Sequence, residues 1–521
     1  MTIKRLILFF VLTPIAVLLS VSSLFGSLQE PQFQTTLELY QTNIALQAQT
    51  WLPEDINDDN FSAIKAAIVG DKPLESATKQ YQQVRESVQT NWDKVQNQLA
   101  QPQTIPLPPK PLGGEPPQSQ ASPEDKQEKL RRSLQQLQKL RADLDLSLGI
   151  LQAKQGQTDT AIQTWEELQQ TGEVNPVWET AAVLTGLWST PPRVLPNAQQ
   201  LINQNLDGWF RSTALIELYQ LQQRQAALSE IRAEQQEAAS QSVTKLALIA
   251  TIPTVTALMG LILLVFLIGQ RLLKGKAALL ARNADLSWST PWGGETILQV
   301  FVVGFFFMGQ IFVPLLLSLL PIERPIVNVR FQAWSVLVSY MMVASGALLV
   351  LYLSIKRFLP LPDQWFRFRL QDGWFLWGFG GYCAALPIVV VVSLINQQLW
   401  RGQGGSNPLL QLALESQDSM ALGLFFLTAA IAAPIFEELL FRGFLLPSLT
   451  RYVPVWGAII FSSLLFAIAH LSLSEILPLT ALGVVLGIVY TRSRNLLAPM
   501  LVHSLWNSGT LLSLFILGSS N

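Results

Sequence analysis

The chain has 521 residues, 50% hydrophobic and 14% charged, with a mean hydropathy of +0.31. A formal net charge of −1 leaves no electrostatic case for a nucleic-acid partner. The single cysteine, Cys383, excludes an intrachain disulfide framework and a zinc site built on cysteines.

From the N-terminus, Lys4 and Arg5 precede the apolar run "LILFFVLTPIAVLLSVSSLFG" (6–26). No A-x-A-type cleavage site is visible and the run is long for a signal-peptide core. An uncleaved membrane helix over 1–26 is therefore expected, with a cleaved signal peptide as the alternative. Residues 27–243 are rich in Gln and Ala and hold no spanning stretch. "ESATKQYQQVRESVQTNWDKVQNQL" spaces its apolar residues at helical intervals. "PQTIPLPPKPLGGEPPQSQASPEDK" (102–126) reads as an extended or mobile linker. A long helix is expected after it, capped by Ser122 with acidic residues in its first turn. "LSLGILQAKQGQTDTAIQTWEEL" (146–168) resembles one tetratricopeptide repeat, with Gly149, Gly156, Ala161 and Trp165 at the matching positions, and 214–231 reads as a degenerate second copy. A generic helical hairpin is the competing reading, because two imperfect copies fall below the number that usually stacks stably.

Further runs of about twenty apolar residues lie at 246–269, 297–320, 332–355, 374–397, 419–441, 455–472, 475–491 and 496–518. The expected fold class is therefore mainly α: a polytopic α-helical membrane protein of about nine spans with an inserted helical, TPR-like soluble domain. With Lys4 and Arg5 inside, the inner loops carry Arg271, Lys274, Lys276 and Arg282; Lys356, Arg357, Arg367 and Arg369; Arg442 and Arg451; and Arg492 and Arg494. The outer loops between the later spans hold far fewer, chiefly Arg324, Arg330 and Arg401, so the positive-inside rule places 27–243 outside the cytoplasm. Trp288, Trp292, Trp365, Trp374, Trp400 and Trp456 fall near span ends, as an interfacial belt would. The expected domains are 1–26, 27–243, membrane helices over 244–372, and a membrane core over 373–521.

In "AAPIFEELLFRGFLLPSL" (432–449) two carboxylates and a guanidinium interrupt such a run, where each charge costs about 2.5–3.5 kcal/mol at a bilayer centre. On a helix Glu438 and Arg442 stand at i and i+4 and can pair, while Glu437 points about 100° away. The only histidines follow: His470 ends "FAIAH", and His503 stands four residues before Asn507 in "HSLWN", so that both can reach one point. A carboxylate can take a proton from water, while imidazole and amide can hold the water, a metal or an oxyanion. Taken singly, each of these groups reads as interhelical glue. Together, within about 70 residues, they read as a catalytic or transport site. Counting along the spans puts Glu437 and His503 towards the inner face and His470 towards the outer one. A single helix over about 424–449 would place Glu437 near its middle and lessen that conflict.

In this order the three motifs, E-E-x-x-x-R (437–442), F-x-x-x-H (466–470) and H-x-x-x-N (503–507), resemble the CPBP family. These are the CAAX-protease and bacteriocin-processing intramembrane endopeptidases, similar to the type II CAAX prenyl endopeptidases. The likeness covers roughly 420–518, with 374–397 joined to it, and none of 27–243. It implies Glu437 as the water-activating base, Glu438 as its partner held by Arg442, His470 as a group for water or metal, and His503 and Asn507 as groups for metal or the oxyanion. If the chemistry is metal-assisted, the implied ligands are Glu437, His470 and His503 and the implied ion Zn2+. A metal-free glutamate mechanism stands beside that, and the zinc motif H-E-x-x-H is absent. The implied partners are a membrane protein or peptide substrate, the lipid bilayer, and a protein bound through 27–243. The competing readings are a transporter, for which the sequence lacks matching broken-helix repeats, and a non-catalytic scaffold.

Overall fold

A backbone in lipid must satisfy its polar groups internally, so the apolar runs fold as helices. In the computed structural model every element among the described residues is helical. The structure describes residues 3–28, 33–52, 66, 69–100, 123–170, 176–321, 328–371, 373–400, 404–415 and 418–518. Most of the expected linker, Ser122, Arg324 and Arg401 lie outside the described residues. The chain divides into two compact units, 1–36 with 248–521, and 37–247.

Among the described residues eight helices are long and apolar enough to cross a membrane: Arg5–Ser27, Gln225–Ala277, Gly294–Ser318, Val329–Phe358, Trp374–Trp400, Ser419–Leu449, Leu473–Ser493 and Leu497–Gly518. The span expected at 455–472 is shorter. Val455–Ile468 has 14 residues and falls below the length of about twenty that a crossing needs. Its chain turns directly after His470, where Leu471 adopts φ +57°. The helix expected to end at 441 runs instead to Leu449, so Arg442 sits inside it and not in an inner loop. Glu437 thereby comes to lie well inside a long helix.

Two further expectations are corrected by packing. Trp288, Trp292 and Trp365 do not form an interfacial belt, for all three are buried. The indole of Trp292 lies 4.4 Å from that of Trp365 and donates to Ser448 Oγ at 2.9 Å. Trp288 donates to Gln364 O and Trp365 to Ser289 O, so these rings fasten loops to the end of the long helix. Backbones also meet directly. A Cβ at Gly260 would collide with the carbonyl of Cys383, which lets the helix from Gln225 press against Trp374–Trp400.

The second unit is a helical array that includes Pro73–Ala100, Pro123–Lys154, Thr158–Gln169, Pro176–Trp188 and Gly208–Leu221. Its core gathers Leu146, Ile150, Ala161, Trp165, Leu184 and Leu218, all fully enclosed. The four residues singled out in the sequence fix one hairpin here. Gly156 turns the chain at φ +81°, Ala161 is buried, and Trp165 donates its Nε1–H to Leu146 O at 3.2 Å. The Trp165 ring occupies the place where Gly149 would carry a Cβ. Asp145, also buried, is paired with Arg85 and Arg141. Gly149→Ala is expected to displace the indole and cost about 1–3 kcal/mol by overpacking. Hydrogen exchange over 146–169 reads this directly, and unchanged protection there would show that the ring yields without cost.

Candidate active site

The site is built on Ser419–Leu449. Asp418 caps this helix by accepting from Ala421 N at 2.9 Å. Two wide π-helical stretches interrupt it, Leu427–Ala432 and Leu439–Leu445, each ending two residues before a proline, Pro434 and Pro447. The same pattern recurs at Leu8–Leu12 before Pro14 and at Gln299–Phe312 before Pro314. A proline has no N–H to give and its ring crowds the carbonyl four residues back, so a widened turn relieves the clash. Widening also leaves carbonyls to be met from elsewhere. Ala429 O accepts from Asn507 Nδ2 at 2.7 Å, and Ala430 O from Ser504 Oγ at 2.6 Å. The side chains of His503 and Asn507 therefore do not converge on one point: the amide is engaged by the widened turn.

Between the two wide stretches stand the two acids, and their surroundings are unlike. Glu438 has no exposed surface and neither has Arg442, whose Nη1 donates to Glu438 Oε1 at 2.8 Å. Arg442 also donates to Gly483 O at 3.2 Å and lies over the Phe466 ring at 4.5 Å. The Nδ1 of His503 stands 2.9 Å from the same Oε1. An ionised carboxylate only accepts, so this nitrogen carries the proton. Glu437 keeps 16% of its side chain exposed, and its Oε1 accepts from the hydroxyl of Tyr340 at 3.0 Å. Its Oε2 lies 3.9 Å from His503 Nε2.

Glu437 and His470 line one cavity of about 600 Å³, which removes the expected opposition between their depths. His470 donates its Nδ1–H to Phe466 O at 2.9 Å, so its neutral ring keeps Nε2 as the acceptor nitrogen. Phe466 is fully enclosed, with His470 and His503 edge-on to it at 5.0 and 5.7 Å. Two participants were not singled out as site residues from the sequence. Phe466 stood in a quoted motif. Tyr340 had no local signal, being one of several hydroxyls in an apolar run 97 residues before the acid it meets.

The proposed metal ligands are not gathered. Among the described residues no group of three or more His, Cys, Asp or Glu side chains is placed to hold an ion. The two nitrogens of His503 face two different carboxylates, and Nδ1 of His470 is engaged by a carbonyl. In this arrangement the residues do not fit a zinc centre, whose nitrogen ligands lie at about 2.0–2.1 Å.

Residues 419–509 match the family described as type II CAAX prenyl endopeptidase Rce1-like, a stretch that includes all six residues singled out from the motifs. The chain is 28% identical over 165 residues to YdiL of Bacillus subtilis (strain 168), named as a membrane peptidase, covering 31% of this chain and 66% of that one. It is 27% identical over 137 residues to the membrane-embedded CAAX protease MroQ of Staphylococcus aureus (strain USA300), covering 25% and 54%. The chain thus spans just under two thirds and about half of the length of these relatives. No solved structure matches it significantly. The resemblance carried by the three motifs is borne out, whereas Tyr340 and the first helix lie outside the matched stretch.

Removing one member of a buried ion pair strands the other and typically costs about 3–5 kcal/mol. Glu438→Ala and Arg442→Ala are each expected to lose that much stability. The double replacement should recover part of it, because neither charge is then left alone. Thermal unfolding in detergent measures the cycle, and strictly additive losses would show that the pair contributes no coupling.

Proposed function

We propose that this chain is an intramembrane endopeptidase that hydrolyses a peptide bond of a membrane-associated substrate, with Glu437 activating the water. The observation that carries this reading is the unequal state of two adjacent carboxylates. Glu438 is enclosed and held at Oε1 by Arg442 and His503, whereas Glu437 opens on a cavity. Glu437 takes a proton from water and the hydroxide adds to the scissile carbonyl. The same proton then passes to the departing amine as the C–N bond breaks. His470, on the same cavity, turns its free Nε2 to the incoming water. The 3.9 Å between His503 Nε2 and Glu437 Oε2 is too long for a direct hydrogen bond and suits one bridging water. Tyr340 positions the base by donating to its other oxygen. The names of the relatives direct the substrate proposal to a CAAX-type peptide.

Glu437→Gln keeps the shape and removes the base, and is expected to lower kcat by about 10²–10⁴-fold at unchanged stability. Tyr340→Phe should lower kcat by about tenfold with KM unchanged, as expected for loss of a hydrogen bond to a charged group. Turnover should survive chelation. Loss on chelation with recovery on adding Zn2+ would instead call for Glu437, His470 and His503 to rearrange around the ion. An active, stable Glu437→Gln protein would end the assignment.

The basic residues lead us to place the unit 37–247 outside the cytoplasm, as a protein-binding module, and the turn after Leu449 inside. Ser448 is buried and bonded to Trp292, so a reporter belongs instead at the exposed Tyr452. An impermeant thiol reagent applied from outside is expected to label Ser76→Cys and not Tyr452→Cys, while the buried Cys383 stays silent. The opposite pattern would reverse the orientation.

A further inference from the structure

The cavity that holds Glu437 has a wall from an unexpected part of the chain. Thr13, Ala16, Val17, Ser20, Val21 and Leu24 of the first helix all line it. Their spacing is i, i+3, i+4, i+7, i+8 and i+11, which is one continuous face of a helix. The helix is fastened beyond both ends of that face. Arg5 pairs with Glu295 at 2.8 Å, and Ser27 Oγ accepts from Leu473 N at 3.2 Å. Between these ties Leu8 and Ala16 pack around Val302. The facing wall is aromatic, with Phe301, Phe305 and Phe306, and Glu437 and His470 stand on a lining that is apolar apart from Thr13, Ser20, Gln310 and Tyr340. A volume of about 600 Å³ is in the range of sites that enclose a small ligand.

We infer that this face of the first helix is the substrate-selecting wall of the site, and that its occupant is an apolar peptide segment beside the scissile bond. The inference rests on the hydrolytic reading above for the position of the bond to be cut. A chain entering this space has Glu437 and His470 at one boundary and the small side chains of Ala16 and Ser20 at another. Those small residues leave the room that a bulky apolar side chain of the substrate takes. Thr13, Ser20 and Gln310 are the polar exceptions on these two walls, too few to serve a polar or charged segment. The first helix therefore decides which residue fits next to the bond, while the matched stretch 419–509 supplies the groups that react.

Two measurements on the full chain test this. The first uses the Glu437→Gln protein in detergent with a peptide bearing a diazirine-leucine beside the expected scissile bond. Crosslinks are expected on 13–24, and Ser20→Phe should lower them about tenfold at unchanged melting temperature. Labelling confined to other segments, or a diazirine phospholipid that labels 13–24 and is not displaced by the peptide, would overturn the inference. The second compares the parent with Ser20→Phe on peptides that differ only at that position. The variant should lose about tenfold more kcat/KM for a Leu or Phe peptide than for the Ala peptide. Equal losses would overturn it. Peptide crosslinks on 13–24 in a protein that cuts nothing would uphold the wall and refute the hydrolytic reading instead.

Discussion

A carboxylate and a guanidinium with no exposed surface remain charged only where each is met by fixed partners, because desolvation costs several kcal/mol per ion. In the Glu438–Arg442 pair those partners come from separate helices. Phe466 lies on Val455–Ile468 beneath the guanidinium, Gly483 O on Leu473–Ser493 accepts from it, and His503 on Leu497–Gly518 donates to the carboxylate. One ion pair thus ties four helices. Its strength as a tie comes from the low dielectric that makes it costly to break. It also orients the neighbouring residue. With Glu438 held inward, Glu437 is turned to the cavity and to Tyr340 on a fifth helix, so a structural charge fixes the direction of its neighbour.

The wide turns explain how such a cluster is accommodated within a long apolar helix. A regular helix leaves no backbone group over for neighbours, since every interior carbonyl is taken by the N–H four residues on. Where Pro434 and Pro447 force the ladder open, carbonyls such as those of Ala429 and Ala430 become attachment points for Leu497–Gly518. The helix carrying His503 is therefore fastened to the helix carrying the acids by two kinds of bond. One runs to the backbone of the widened turn and one to Glu438 itself.

What was legible in the sequence follows from the range of each interaction. The i, i+4 pair and the inequality of the two acids are local and follow from helical geometry alone. So does the Gly149–Trp165 hairpin, where a missing Cβ and a large ring stand 16 residues apart. Packing between distant segments was not legible. Asn507 reads as a partner of His503 because both share a helix face, yet the stronger demand on its amide is an unpaired carbonyl in another helix. The tryptophans near span ends read as lipid-facing anchors, yet three of them bind backbone or hydroxyl groups inside the fold. Tyr340 carries no signal at all until the helix Val329–Phe358 is placed beside Glu437. The span expected at 455–472 is short for a simpler reason. Hydropathy alone does not see that the chain turns at Leu471, which shortens the apolar helix and leaves His470 lining the cavity.

On the proposed reading, chemistry and selection are divided along this chain. The groups proposed to react sit within the stretch matched to the family, 419–509. Two walls of the cavity, from residues 13–24 and 298–310, lie outside that stretch, while others, such as Phe441 and Leu465, lie within it. Likeness to a family therefore bears on the matched stretch and not on walls built outside it, because function lives in sites assembled on a fold and not in the fold itself. The same division accounts for the polar ties of the first helix. A helix held to the rest only by apolar contacts has nothing to gain from one rotation over another, since lipid is as apolar as its neighbours. Arg5 with Glu295 and Ser27 with Leu473 fix that rotation, and so keep one particular face, with its two small residues, turned to Glu437.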